Sequence, residues 1–134
     1  MGMADFIPAV RRIETDRPTC YAFELTGRIT AADIENLYGL LEGAYELHDK
    51  IDLLIRIVDY DHAEWLDVSR KTRIDGRLHA LEHVRRCAAV GEPNWTLYAK
   101  ARLMTVATVD IRHFSAGEES QAWKWLNAHP VDDA

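Results

Sequence analysis

Residues Ile51 to Val58 read Ile-Asp-Leu-Leu-Ile-Arg-Ile-Val, and no other stretch of the chain constrains the fold as strongly. A strand with one wet face alternates apolar and polar residues. A run this nearly continuous has to be covered on both faces, as the central strands of parallel sheets are. The neighbouring segments supply helices to cover it. Between Ala31 and Leu47, residues Ile34, Leu37, Tyr38, Leu41 and Tyr45 recur at helical spacing, with Glu35, Glu42 and Glu46 opposite them. Thr30 is a good N-cap for this helix, and Asp33 completes a capping box. Gly39 and Gly43 interrupt it, which suggests close packing of another element there.

The remaining elements follow from turn residues and periodicity. Phe6 to Ile13 and Thr19 to Leu25 read as strands joined by Thr15-Asp16-Arg17-Pro18, which predicts a hairpin, and Gly27 breaks the chain after it. A second helix is expected over 66–83, with Ile74, Leu78 and Leu81 facing the core. Cys87 to Val90 is a short buried strand ended by Gly91, and a further helix is expected from Pro93 or Asn94 to Met104. Thr108 to Phe114 alternates as an edge strand. A last helix, Glu118 to Asn127, should bury Ala122, Trp125 and Leu126. Strands alternating with helices imply parallel crossovers. The expected architecture is one α/β domain: a five-stranded mixed sheet, opened by a hairpin whose first strand alone is antiparallel, with about four helices. The expected domain spans residues 6–128, between a disordered N-terminus or cloning scar (1–5) and a C-terminal tail (129–134).

A chain of 134 residues needs neither a disulfide nor a metal to close a core. Its formal net charge of -6 argues against nucleic acid as a partner. Cys20 and Cys87 both lie in strand-like apolar runs and read as buried, reduced thiols, although a single disulfide between them stays open. There is no export signal and no apolar run long enough to cross a bilayer, so the expected location is cytoplasmic.

Leu25-Thr26-Gly27-Arg28-Ile29-Thr30-Ala31-Ala32-Asp33 is a strand-Gly-helix joint. Ile51-Asp52-Leu53-Leu54-Ile55 leads into the segment ending at Trp65, and Arg86-Cys87-Ala88-Ala89-Val90-Gly91-Glu92-Pro93-Asn94-Trp95 follows in order. With the closing Glu118-Glu119-Ser120-Gln121-Ala122-Trp123-Lys124-Trp125-Leu126, this succession resembles the SpoIIAA-like branch of the STAS domains over about residues 6–127. The resemblance implies a mixed sheet with helices stacked on it, and a binding or regulatory role rather than catalysis. In the anti-sigma antagonist relatives, a serine at the start of the helix after the third strand is a phosphorylation switch, within an Asp-Ser-Gly pattern. Here the corresponding stretch is Leu66-Asp67-Val68-Ser69-Arg70, so Ser69 is a candidate regulatory residue but not an obligatory switch.

Three constellations are candidates for function. Asp59, Asp61, His62, Glu64 and Asp67 form an acidic stretch after the central strand, where open α/β sheets place ligands. It reads first as a solvated loop with Asp67 capping the next helix, and second as a cation or acid–base site. His79 and His83, four apart on a helix, read first as surface histidines and second as a metal pair. The third constellation is the second helix itself. On a wheel of ~100° steps, Arg70, Arg73 and Arg77 line one side of its apolar stripe and Lys71 the other. Basic residues flanking an apolar strip suit a helix lying on an anionic membrane.

The leading expectation is a non-catalytic module holding a small apolar or amphipathic ligand, with docking at an anionic membrane surface as an extension of it. Tyr60, Trp65, Arg70, Lys71, Arg73, Ile74, Arg77 and Leu78 are the ligand- or lipid-contacting residues, and no cofactor or metal is called for. The helix would act as a movable lid that exchanges its amides faster than residues 31–47. The alternatives are a protein-interaction regulator of the antagonist type, or an enzyme or metal site using 59–67. The oligomeric state stays open, a homodimer included.

Overall fold

The computed structural model describes residues 9–63, 67–92 and 110–131. Strands β1 (Val10–Ile13) and β2 (Cys20–Ile29) form the expected hairpin, followed by α1 (Ala31–Leu47), β3 (Ile51–Ala63), α2 (Arg70–His83), β4 (Val84–Val90) and β5 (Asp110–Phe114). A 3-10 turn, Ala116–Glu118, leads into α3 (Glu119–Leu126). The sheet has five strands in the order β1-β2-β3-β4-β5; β1 runs antiparallel to β2 and every other pair is parallel. The apolar run at Ile51 is therefore the central strand. The helix expected over 94–104 lies outside the described residues.

Alternation along β3 builds two core layers, because successive side chains point to opposite faces of a sheet. Leu53, Ile55 and Ile57 join Phe23, Ile34, Leu37, Leu41 and Tyr45 in the layer under α1. Leu54 joins Cys20, Ala22, Ala88 and Val90 under α3, which contributes Ala122, Trp123 and Leu126. The Thr30 cap forms as expected: its hydroxyl accepts from the Asp33 N–H at 3.2 Å, and the Asp33 carboxylate accepts from the Thr30 N–H at 2.9 Å.

Four expectations need correction. Gly27 does not end β2. It sits at φ 69 opposite Tyr60 with a register shift on either side, Asp59 at φ 51 is skipped by the first of them, and the paired strands continue through Ile29 and Ala63. The stretch from Asp59 to Ala63 is thus mostly strand rather than loop, held by main-chain pairing that ignores its polar composition. Trp123, not Trp125, is fully buried in α3. Its indole N–H reaches Glu119 Oε2 at 3.0 Å, which satisfies its one donor, whereas Trp125 lies partly buried beneath the guanidinium groups of Arg86 and Arg112. Finally, a Cβ added at Gly39 or Gly43 would meet nothing within 4 Å, so neither glycine serves close packing among the described residues.

Polar pins hold the layers in register. Arg56, near the middle of β3, gives its Nε–H to Glu119 Oε1 at 3.0 Å and an Nη1–H to Glu24 Oε2 at 3.1 Å, tying α3 to β2 and β3. Past α3 the chain returns to the β1–β2 turn. The Asp16 N–H donates to the His129 carbonyl and the Val131 N–H to the Glu14 carbonyl, so residues 129–131 are fastened to the domain.

Cys20 and Cys87 are both free and buried. They belong to different core layers, on opposite faces of the sheet, so they cannot approach as a disulfide without unfolding. Burial pushes their thiols up, Cys20 to about 11 and Cys87 to about 12. Both are therefore expected to resist alkylation at neutral pH in the native state, and to react at the rate of unfolding. Mass-spectrometric counting of labelled thiols with and without denaturant checks this; rapid native labelling of either would contradict the burial.

Candidate functional site

The site assembles from α2 outward. Asp67, expected as the cap, lies short of the helix and exposed. Ser69 takes that role: its Oγ accepts from the Thr72 N–H at 3.1 Å and donates to Thr72 Oγ1 at 2.7 Å. Val68, buried just before it, anchors the helix start to the main core. The far end of α2 is fixed by His83, whose ring stacks on Tyr45 with centroids 4.8 Å apart while Nδ1–H donates to the Asp49 carbonyl at 2.8 Å. One turn earlier His79 Nδ1 lies 2.5 Å from Glu42 Oε2 of α1, and Ala80 packs against the core.

These contacts set the rotational phase of α2, and it is not the phase read from the sequence. The face turned to α1 and the sheet carries His79, Ala80 and His83. Leu78, about 200° around the helix from Ala80 at ~100° per residue, is 52% exposed, and Ile74 is half-buried. The expected core stripe therefore does not face the core at Leu78. The reason is that the tight α1 contact is made by two histidines paired with polar and aromatic partners, not by the larger aliphatic residues.

Among the residues predicted to bind, Arg70 and Lys71 are exposed on the first turn of α2. Lys71 is engaged by Asp75, Nζ to Oδ2 at 2.7 Å, which holds its ammonium above the usual lysine range. Tyr60 pairs with Gly27 in the sheet. Its side chain, those of Arg73, Arg77 and Leu81, and all of Trp65 and Glu64 lie outside the described residues. Asp59 is exposed, and the main chain at Asp61 and His62 belongs to the extended part of β3. Among the described residues no three His, Cys, Asp or Glu side chains gather as a metal site.

The structure adds a groove of about 300 Å³ between α1 and α2, lined by Glu35, Tyr38, Gly39, Glu42, Thr72, Asp75 and His79. Its acidic lining pushes the balance of charge on this side of α2 away from the purely basic one expected. Of these residues only His79 is a candidate site residue in the sequence, as half of the His79–His83 pair. Glu35 and Glu42 had already been placed on the polar face of α1, and docking that face against α2 is the one signal that could have found the groove. No described helix is long and apolar enough to cross a membrane.

Comparison with known proteins agrees with this architecture. A solved structure of an uncharacterised protein of the DUF3478 family with a SpoIIAA-like fold, from Shewanella loihica PV-4, superposes with a TM-score of 0.64 at 21% sequence identity. The superposition covers 90% of this chain and 96% of that one. At that identity the likeness speaks for the fold alone. A search of curated proteins returns no match. The sequence profile of the SpoIIAA-like family matches residues 20–127, from the start of β2 through the end of α3. The chain therefore belongs to the SpoIIAA-like family.

Proposed function

We propose that this protein is a regulatory binding module without catalysis of its own, and that it takes a small amphipathic ligand along α2. The observation that carries this is the groove between α1 and α2; Leu78, a large aliphatic side chain outside its lining, is exposed on the same helix. Glu35, Glu42 and Asp75 favour a cationic or hydrogen-bonding head in the groove, with Tyr38 offering an aromatic surface. Leu78 and Ile74 would take the apolar part. A concave site with a few convergent polar groups is where a small ligand binds. Docking at anionic membranes through Arg70, Lys71, Arg73 and Arg77 extends the reading, each basic residue adding about 1 kcal/mol near such a surface.

Native mass spectrometry of freshly purified protein would reveal a retained small molecule and the subunit number together. Titration with dodecyltrimethylammonium below its micelle concentration is then expected to shift the NMR signals of Tyr38, Thr72 and His79, and the Leu78→Asp variant to weaken the shifts at least several-fold. Shifts that avoid α1 and α2, or that survive unchanged in Leu78→Asp, would overturn the proposal. Co-sedimentation with phosphatidylserine vesicles tests the membrane extension separately.

A second reading, a protein-interaction regulator switched at Ser69, draws support from the place of that serine: exposed, at the N-cap of the helix that follows β3. A phosphoryl group there would meet the positive end of the helix. Without the Asp-Ser-Gly pattern, Ser69→Ala is expected to cost α2 about 1 kcal/mol as a lost cap while leaving ligand binding in place. Stoichiometric phosphorylation of Ser69 by a partner kinase would move the assignment to this second reading.

A further inference from the structure

We propose that His79 and Glu42 form a pH-sensitive clasp between α2 and α1, tightest on the mildly acidic side of neutrality and looser above it. The inference goes beyond ligand binding and stands whether or not the groove is ever filled.

The clasp rests on where the charges are. His79 Nδ1 and Glu42 Oε2 approach to 2.5 Å across the α1–α2 groove. A carboxylate can only accept, so Nδ1 carries the proton in either charge state, and the bond itself survives deprotonation of the ring. What changes is the charge. Glu42 from α1 and Asp75 and Glu82 from α2 act on the His79 ring, while Glu35 and Tyr38 of α1 line the same groove. Two described lysines stand near these carboxylates: Lys71 is tied to Asp75, and Lys50 gives its Nζ–H to the Glu82 main-chain carbonyl. An imidazolium thus faces carboxylates on both helices, whereas a neutral ring leaves Glu42 and its acidic neighbours uncompensated.

A second described contact, at the end of α2, works differently. His83 gives its Nδ1–H to the Asp49 carbonyl and stacks on Tyr45, contacts that need no charge. His83, whose Nε2 lies 3.6 Å from Glu82 Oε1 of its own helix, thus fixes the far end of α2, and His79 is the histidine set directly against a carboxylate of α1. The hydrogen bond that His79 donates to Glu42 holds its imidazolium above the usual value of 6.5, outweighing the cost of desolvation, with lesser help from Asp75 and Glu82. A group whose pKa is raised by folding stabilises fully below its unfolded pKa and loses that contribution as pH rises through the folded value. The clasp is thus complete below about 6.5 and slackens above it, in the range where cellular pH varies.

The test is hydrogen exchange of residues 70–83 in the ligand-free protein between about pH 6 and 8.5, corrected for intrinsic rates, alongside an NMR titration of the His79 ring. Exposed ion pairs are modest, so α2 is expected to open about two- to fivefold more often at the alkaline end. In Glu42→Gln the His79 midpoint should fall and the pH dependence of α2 should shrink to the lesser part that Asp75 and Glu82 supply. His79→Gln, which keeps a neutral donor, should hold α2 at its alkaline opening rate at every pH. An unchanged His79 midpoint in Glu42→Gln, or a pH dependence that persists in both variants, would overturn the clasp. Because no ligand is present, neither outcome bears on the amphiphile titration.

Discussion

Asp52→Ala is expected to remove about 3 kcal/mol of folding stability, roughly 10 °C in Tm. Asp52 is a charged side chain only 1% exposed, at the start of the central strand. Its carboxylate accepts from Arg17 Nη1 at 3.0 Å, Arg85 Nη2 at 2.8 Å and Arg85 Nε at 3.2 Å, while its N–H donates to the Thr19 carbonyl at 2.8 Å. Arg17 in turn reaches the Leu126 carbonyl at 2.6 Å. One carboxylate thereby joins the starts of β2, β3 and β4 to the end of α3. Removing one partner from a buried ion pair costs about 3–5 kcal/mol, because the other charge is left without compensation. Arg85, 55% exposed, can return to water, which places the expectation at the lower end of that range. Asp52→Asn keeps the shape and part of the hydrogen bonding, so it should cost about half as much. Urea denaturation of the three proteins measures this. A loss below about 1 kcal/mol for Asp52→Ala would show that the two arginines repel little once the carboxylate is gone.

Gly91→Ala should be comparably damaging, for a purely steric reason. Gly91 ends β4 at φ 102, a conformation that side chains rarely adopt, and a Cβ there would stand 2.4 Å from the Ile57 carbonyl oxygen. That oxygen belongs to the backbone of the central strand and cannot swing away. The glycine cannot retreat freely either, because its N–H donates to the Phe114 carbonyl at 2.9 Å and its own carbonyl accepts from His113 Nε2 at 2.7 Å. Strain of about 1–3 kcal/mol from the dihedral adds to the clash, so a loss of about 3–4 kcal/mol is expected. Gly39→Ala and Gly43→Ala make the opposite comparison. A Cβ at either position meets open space in the middle of α1, so each should stabilise the protein by about 0.5–1 kcal/mol. A common sign for all three glycines in thermal denaturation would contradict this account.

The features legible in the sequence are those encoded by local repetition. The nearly continuous apolar run at Ile51 determined a central strand, because both of its faces have to be covered. The spacing from Ile34 to Tyr45 and the Thr30–Asp33 pair determined α1 to the residue, because a helix is capped by its own neighbours. Turn residues determined the hairpin, and the order of elements was enough to point to the family. Where the sequence misled, a partner distant along the chain made the decision. Asp59-Tyr60-Asp61-His62 looks like a loop, yet it runs as strand because β2 offers it main-chain hydrogen bonds. Ile74 and Leu78 look like a core stripe. The phase of α2 is instead fixed by Glu42, 37 positions from His79, and by Tyr45 beneath His83. The Asp52 cluster and the α1–α2 groove are likewise built from residues tens of positions apart. Periodicity reports which face of an element is apolar. Which neighbour that face meets, and whether a charge on it finds a counter-charge, is settled only when the elements pack, because those interactions fall off within a few ångströms and take no account of distance along the chain.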